Sequence, residues 1–147
     1  MRTYVYVDGF NLYYGCLKGT PFRWLDLVSL CRNLLPQNEI LKIKYFTAHV
    51  KPNPNDTTSH LRQEQYLRAL ATTPMVEVIF GHFLRSTVWM PRAISEGGKP
   101  QYVEVIKTEE KGSDVNLAVH LVNDAHLDLF DVGVVVSNDS DLFEALR

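Results

Sequence analysis

Short apolar runs rich in β-branched residues alternate along this chain with longer segments whose apolar positions recur at helical spacing. Tyr4-Val5-Tyr6-Val7 lies in a first strand over about Arg2 to Val7, and a short helix begins near Asn11. From Trp24 to Leu35, the residues Leu27, Val28, Leu30, Cys31, Leu34 and Leu35 keep helical spacing until Pro36 stops the run. Ile40 to Ala48 predicts a second strand, with Ile40, Ile43, Tyr45 and Phe46 toward a core. The loop Pro52-Asn53-Pro54-Asn55-Asp56 leads into a helix over about Thr57 to Thr72. That helix is expected to turn Leu61, Gln65 or Tyr66, and Ala69 inward, and Val76 to Phe80 is a third strand.

The texture then changes. Leu84 to Met90 and Gln101 to Lys107 both favour strand, and Pro91 to Pro100 between them contains Gly97-Gly98, which predicts a β-hairpin arm. Ser113 to Ala125 is a helix, Val132 to Val136 a strand, and a last helix starts near Asp139. The order β-α-β-α-β, hairpin, α-β-α is that of an α/β sandwich with a mainly parallel central sheet. A length of 147 residues suits one domain. Arg147 falls one or two turns into the last helix, so a further strand is expected beyond it, and the exposed edge would favour a homodimer.

Composition narrows the function classes. At 46% hydrophobic and 22% charged residues the chain reads as an ordinary soluble globular domain. A net charge of −2 gives no global field for nucleic acid, so any polyanion site has to be local. Cys16 and Cys31 form no C-x-x-C pair, and His49, His60, His82, His120 and His126 are scattered, which argues against a zinc site. There is no signal-peptide core and no apolar run near the roughly 18 residues of a membrane span; a cytoplasmic protein is expected.

Candidate chemistry sits at strand ends. Val7 runs into Asp8-Gly9-Phe10-Asn11, and Val134-Val135-Val136 runs into Ser137-Asn138-Asp139-Ser140-Asp141. Open α/β sheets place ligands at the C-terminal ends of their strands, and two such ends plus one more acid would make a divalent-cation site. Asp8 could equally cap the following helix, as could Asn11, which could otherwise hold a phosphate or a metal-bound water; Asp139 is also a plausible cap. Asp114 is the third acid. Leu117, Ala118, Leu121, Val122 and Ala125 follow it at i+3, i+4, i+7, i+8 and i+11, which puts it on the buried stripe, opposite His120 and Asn123. Ser137 and Ser140 add hydroxyls. Lys111-Gly112 offers a cation and free backbone beside a helix terminus, which either suits phosphate or is an ordinary solvated loop. Glu109 and Glu110 are expected in solvent, with Glu109 an outside candidate for a metal shell. Arg85, Arg92, Lys99, Lys107 and Lys111, with Trp89 and Tyr102 among them, either form a rim for a single strand or are the wet face of an ordinary hairpin.

Three stretches together, Val7-Asp8-Gly9-Phe10-Asn11-Leu12, Glu110-Lys111-Gly112-Ser113-Asp114-Val115 and Val136-Ser137-Asn138-Asp139-Ser140-Asp141-Leu142, resemble the NYN (LabA-like) branch of the PIN-like nuclease superfamily. The resemblance implies a three-layer α/β/α sandwich and an acidic cluster that binds Mg²⁺ or Mn²⁺ and cuts RNA. It makes Asp8, Asp114 and Asp139 the core metal ligands. Asp141 would complete the shell directly or through water, and Asn11 would arrange water or phosphate. The competing reading is a PIN-like module that binds RNA or a protein without cutting. A phosphatase or nucleotide-binding protein is disfavoured, because neither G-x-x-x-x-G-K-[ST] nor G-x-G-x-x-G occurs.

Overall fold

A computed structural model describes residues 1–52, 54–93 and 100–147. Asn53, the Gly97-Gly98 turn and the rim candidate Lys99 lie outside the described residues.

Four parallel strands form the central sheet: β1 (Arg2–Asp8), β2 (Glu39–Thr47), β3 (Val76–Phe80) and β6 (Val132–Val136), in the order β3-β2-β1-β6. Between β3 and β6 the chain makes an antiparallel pair, β4 (His82–Pro91) and β5 (Tyr102–Lys111). The helices are α1 (Gly9–Leu12), α2 (Leu27–Leu34), α3 (Ser59–Ala71) and α4 (Ser113–His126). A single π-type turn, Tyr13–Leu17, extends α1, and the last helix, Ser140–Leu146, is 3₁₀.

Strand alternation builds two cores and hence three layers. Val5, Val7, Ile43 and Tyr45 face α2 and α3, where they meet Leu27, Cys31, Leu67 and Leu70. Tyr6 and Phe46, on the other face, meet Leu117 and Leu121 of α4 and Leu142 of the 3₁₀ helix. The expected three-layer α/β/α sandwich with a mainly parallel sheet and a hairpin arm is the observed fold.

The helices differ from the expected stripes in three places. Asp26 caps α2 by accepting from the N–H groups of Val28 and Ser29, so that helix begins three residues later than its apolar spacing suggests, and Leu34 is exposed. In α3 the inward residues are Leu67 and Leu70 with Tyr66 partly buried; Leu61 and Ala69 are exposed. The sparse apolar content of that helix left its register open. In α4 the buried positions are Ser113, Leu117, Leu121 and Asp124, whereas Val122 and Ala125 face solvent. An ion pair explains the rotation. Asp124 accepts from Lys44 Nζ at 2.5 Å and from Tyr6 Oη at 2.8 Å, and His120 Nδ1 lies 3.1 Å from the same ammonium. The helix therefore turns a carboxylate and an imidazole toward the sheet where valine and alanine were expected.

Gly81 joins β3 to the arm at a point with no room for a side chain. A Cβ there would lie 2.6 Å from the Lys111 carbonyl oxygen and 2.9 Å from the Ser113 nitrogen. The start of β4, the end of β5 and the start of α4 thus meet in one knot beside the C-terminal ends of the sheet.

Candidate functional site

The parallel sheet reverses its winding at β1. Its sequence neighbour β2 lies on one side and β6 on the other, with Val7 paired to Val136. This is the switch point where loops diverge and leave a crevice at the strand ends. Asp8 and Ser137, the next residues on each strand, face each other across it. Ser137 Oγ donates to Asp8 Oδ2 at 3.0 Å and accepts the Asp139 N–H at 3.1 Å.

Capping and clustering prove compatible. Asp8 Oδ1 accepts the Asn11 N–H at 2.9 Å, and Asp139 Oδ1 accepts the Asp141 N–H at 2.9 Å. Each acid therefore starts a short helix and still lines the crevice. Asn11 Oδ1 accepts the Asn138 N–H at 2.9 Å, tying the loop after β1 to the loop after β6. Gly9 permits this close approach: a Cβ there would stand 2.6 Å from the Tyr45 ring and 2.8 Å from the Phe46 carbonyl oxygen.

The third side of the crevice comes from the knot below the arm. Gly112, at φ +94°, turns β5 directly into α4. Glu110 accepts from the N–H of Ser113 at 3.1 Å and from its hydroxyl at 2.7 Å, so it caps α4. Asp8, Asn11, Glu110, Ser113, Asp114 and Asp139 then line one cleft, together with the rings of Phe10, Tyr14 and Phe83.

Asp114 is exposed on this cleft and does not belong to the buried stripe. The helical count placed it correctly at the first turn but took Val122 and Ala125 for inward residues, which rotated the stripe toward it. Its carboxyl is nevertheless pushed above the ordinary carboxylate range, first by partial desolvation and then by the charges of Asp8, Asp139, Glu110 and Asp141. These acids feel one another even though, among the described residues, no three acidic, imidazole or thiol groups stand close enough to enclose an ion.

The other expected residues divide. Asp141 acts on Asp114 through its charge but does not line the cleft, and Ser140 is exposed beside it. Glu110, expected in solvent, faces the cleft, while Glu109 turns the other way and pairs with Lys107 at 2.6 Å and Lys111 at 3.6 Å. Lys111 is therefore on the far face of the hairpin from the acids. The rim splits for the same reason: Arg85 shares a face with Thr108, whereas Lys107 is paired with Ser86 on the opposite face. Arg92 lies far along the arm, with Nη1 donating to Gln101 Oε1 at 3.3 Å. Among the described residues of that set, Arg85 lines a concave surface.

That surface is a second cavity, of about 610 Å³, bounded by Phe10, Tyr14 and Phe83 on the side they share with the acidic cleft. Trp24, Tyr45 and Tyr66 line it as well. Sequence reasoning missed it, although the density of rings between Phe10 and Trp24 was the available signal.

Among curated proteins the chain is similar to 6-hydroxy-3-succinoylpyridine 3-monooxygenase HspA of Pseudomonas putida (strain DSM 28022 / S16). The two are 33% identical over 172 residues, an alignment that takes in all of this chain and 55% of that protein. The chain thus spans about half the length of its relative. No solved structure matches it. No helix among the described residues is long and apolar enough to cross a membrane. Residues 2–147 match the NYN domain, so the chain belongs to the NYN family of the PIN-like superfamily, whose members are nuclease-like and RNA-related.

Proposed function

We propose that this protein is a metal-dependent ribonuclease that hydrolyses phosphodiester bonds of single-stranded RNA at the cleft between β1, β6 and α4. The observation that carries the reading is the convergence of Asp8, Glu110, Asp114 and Asp139 on one cleft, with the Asp114 carboxyl raised by its acidic neighbours. Clustered like charges at a sheet's switch point are costly and are relieved by a cation.

The donors are hard oxygens without sulfur or imidazole, which suits Mg²⁺ or Mn²⁺. With no three acids close enough to enclose an ion among the described residues, the set suits an ion that keeps several waters, as Mg²⁺ commonly does, and meets some of these carboxylates through those waters. Asp8, Asp114 and Asp139 would hold it, with Asp141 acting through its charge or a water. When bound, the ion neutralises phosphate charge and makes a water more acidic.

The chain's own groups do the rest. Ser137 ties the Asp8 carboxylate to the backbone of Asp139, and the Asn11 bond to Asn138 keeps the two loops from separating. Glu110 is held by Ser113 with its charge toward the cleft. Arg85 receives the strand beyond the acids. The test is cleavage of end-labelled single-stranded RNA with Mg²⁺ or Mn²⁺, against EDTA and Asp114→Asn controls. Cutting that needs the metal and Asp114 supports the reading; well-folded protein that binds RNA without cutting it would make this a binding module.

A second reading is favoured by one observation, the ring-lined cavity beside the acids. The relative's name assigns it oxidation of a hydroxypyridine. A small-molecule hydroxylase here would consume dioxygen and a two-electron donor, and substrate-dependent oxidation of that donor, without RNA cleavage, would select it.

A further inference from the structure

We infer that the cavity beside the acidic cleft is a binding site for a planar aromatic ring carrying an anionic group. The walls and the charges on them argue for this independently of any cleavage chemistry.

The volume, about 610 Å³, is in the range of small-ligand sites. Two chains of rings reach it. In one, Tyr13 and Tyr14 have centroids 5.2 Å apart, Tyr14 and Phe10 6.4 Å, and Phe10 and Phe83 5.6 Å. In the other, Tyr66 stands 6.4 Å from Trp24 and 6.1 Å from Tyr45. Such faces take up a flat ring by stacking and edge contacts.

The charge on the lining is one-sided. Lys18, Arg23, Lys51 and Arg85 line the cavity, and among the described residues none of them is ion-paired. Lys18 instead sits 5.0 Å from the Tyr14 ring centroid. The lining's acid, Asp56, is already bound by Arg62 at 2.5 Å. A surplus of unpaired cations on an aromatic wall excludes a cationic guest and favours an anion attached to the ring. Tyr45, whose ring is almost wholly buried, brings a hydroxyl that can donate to or accept from a guest in the cavity it lines.

Phe10, Tyr14 and Phe83 line both the cavity and the acidic cleft, so the two share a wall. Two sources have this chemistry: an unstacked nucleotide of a bound strand, and a free aromatic acid.

Trp24 reports on the site directly once Trp89, exposed on the arm, is replaced. The Trp89→Phe protein is titrated in EDTA with uridine 5′-monophosphate, with uridine, and with 6-hydroxypyridine-3-carboxylate, reading Trp24 fluorescence. The expected result is saturable quenching by at least one of the two anions, with uridine at least tenfold weaker than its monophosphate if the nucleotide is the guest. Arg85→Ala and Arg23→Ala should each weaken that binding about tenfold. Saturation by the nucleotide alone assigns the site to a strand, and by the pyridine acid alone to a free metabolite. No saturation by either anion, or saturation indifferent to both arginine replacements, overturns the inference. Because EDTA prevents metal-dependent cutting, a failure of the ribonuclease reading leaves this result untouched.

Discussion

Ser137 Oγ donates to Asp8 Oδ2 at 3.0 Å, joining two residues 129 positions apart at the ends of adjacent parallel strands. The same oxygen receives the Asp139 N–H, so one hydroxyl sets the distance between the first and the last acid. Ser137→Ala should leave the fold unchanged by circular dichroism and lower kcat/KM for RNA by roughly ten- to a hundredfold. That range follows from about 1.5–3 kcal/mol for a hydrogen bond to a charged group. Unaltered cleavage would mean that the spacing of Asp8 and Asp139 does not matter to the reaction.

Asp114 carries an electrostatic cost to stability. Its folded carboxyl binds a proton more tightly than the unfolded one, because it is partly desolvated and feels the charges of Asp8, Asp139, Glu110 and Asp141. The associated stability is full below the unfolded pKa and is lost as pH rises through the raised folded pKa. At neutral pH in EDTA, Asp114→Asn should therefore melt higher than the native protein. After discounting for solvent screening the gain is a few tenths of a kcal/mol, or about 1–2 °C. The difference should vanish in acid and shrink in high salt. A lower melting temperature for the variant would show that Asp114 is held by favourable partners.

Adding Mg²⁺ or Mn²⁺ should raise the melting temperature of the native protein by RT ln(1 + [M]/Kd), about 2.7 kcal/mol at a hundred times Kd. EDTA should reverse the rise, and Asp114→Asn should show a smaller one. An equal rise in both proteins would place the ion elsewhere.

Gly9→Ala tests the approach of α1 to β2. The added methyl group meets the Tyr45 ring and the Phe46 carbonyl oxygen at under 3 Å, and the backbone atom cannot swing aside. Overpacking of this kind costs about 1–3 kcal/mol. Urea denaturation should show that loss together with reduced cleavage, since α1 carries Asn11. Tyr45→Phe should not rescue it. Unchanged stability would mean that α1 can lift away freely.

The buried Lys44–Asp124 pair makes a separate prediction. Asp124→Leu leaves an ammonium buried without its carboxylate and should cost about 3–5 kcal/mol. Combining it with Lys44→Met should recover much of that loss, as measured by urea unfolding. Strict additivity of the two single replacements would exclude the coupling.

Most of the architecture was legible because both periods in the sequence are clean where the chain is most buried. Val5, Val7, Ile43 and Tyr45 alternate with Tyr6 and Phe46, and α2, α3 and α4 were all expected as helices. The orientation of α4 was not legible. Asp124 looks like a surface acid until Lys44, eighty positions earlier, is seen to be buried opposite it. The acids at strand ends could be read because a parallel sheet brings such ends together whatever the loops do. Which face of the arm carries Arg85 depends on strand register, and neighbouring lysines in sequence alternate between faces. The ring-lined cavity depends on contacts between α1, Trp24, Tyr66 and the arm, and no local pattern encodes those.

Gly112 has a practical consequence for engineering this protein. It is the lone residue separating β5 from α4, so the strand that forms the arm and the helix that bears Asp114 are one continuous rod with a single joint. Shortening or grafting the hairpin to alter what it recognises would tug on Glu110 and Asp114 at the same time. An exchange of the hairpin should therefore be spliced before Glu109 on one strand and after Phe83 on the other, so that the joint and its two carboxylates stay with the body of the domain.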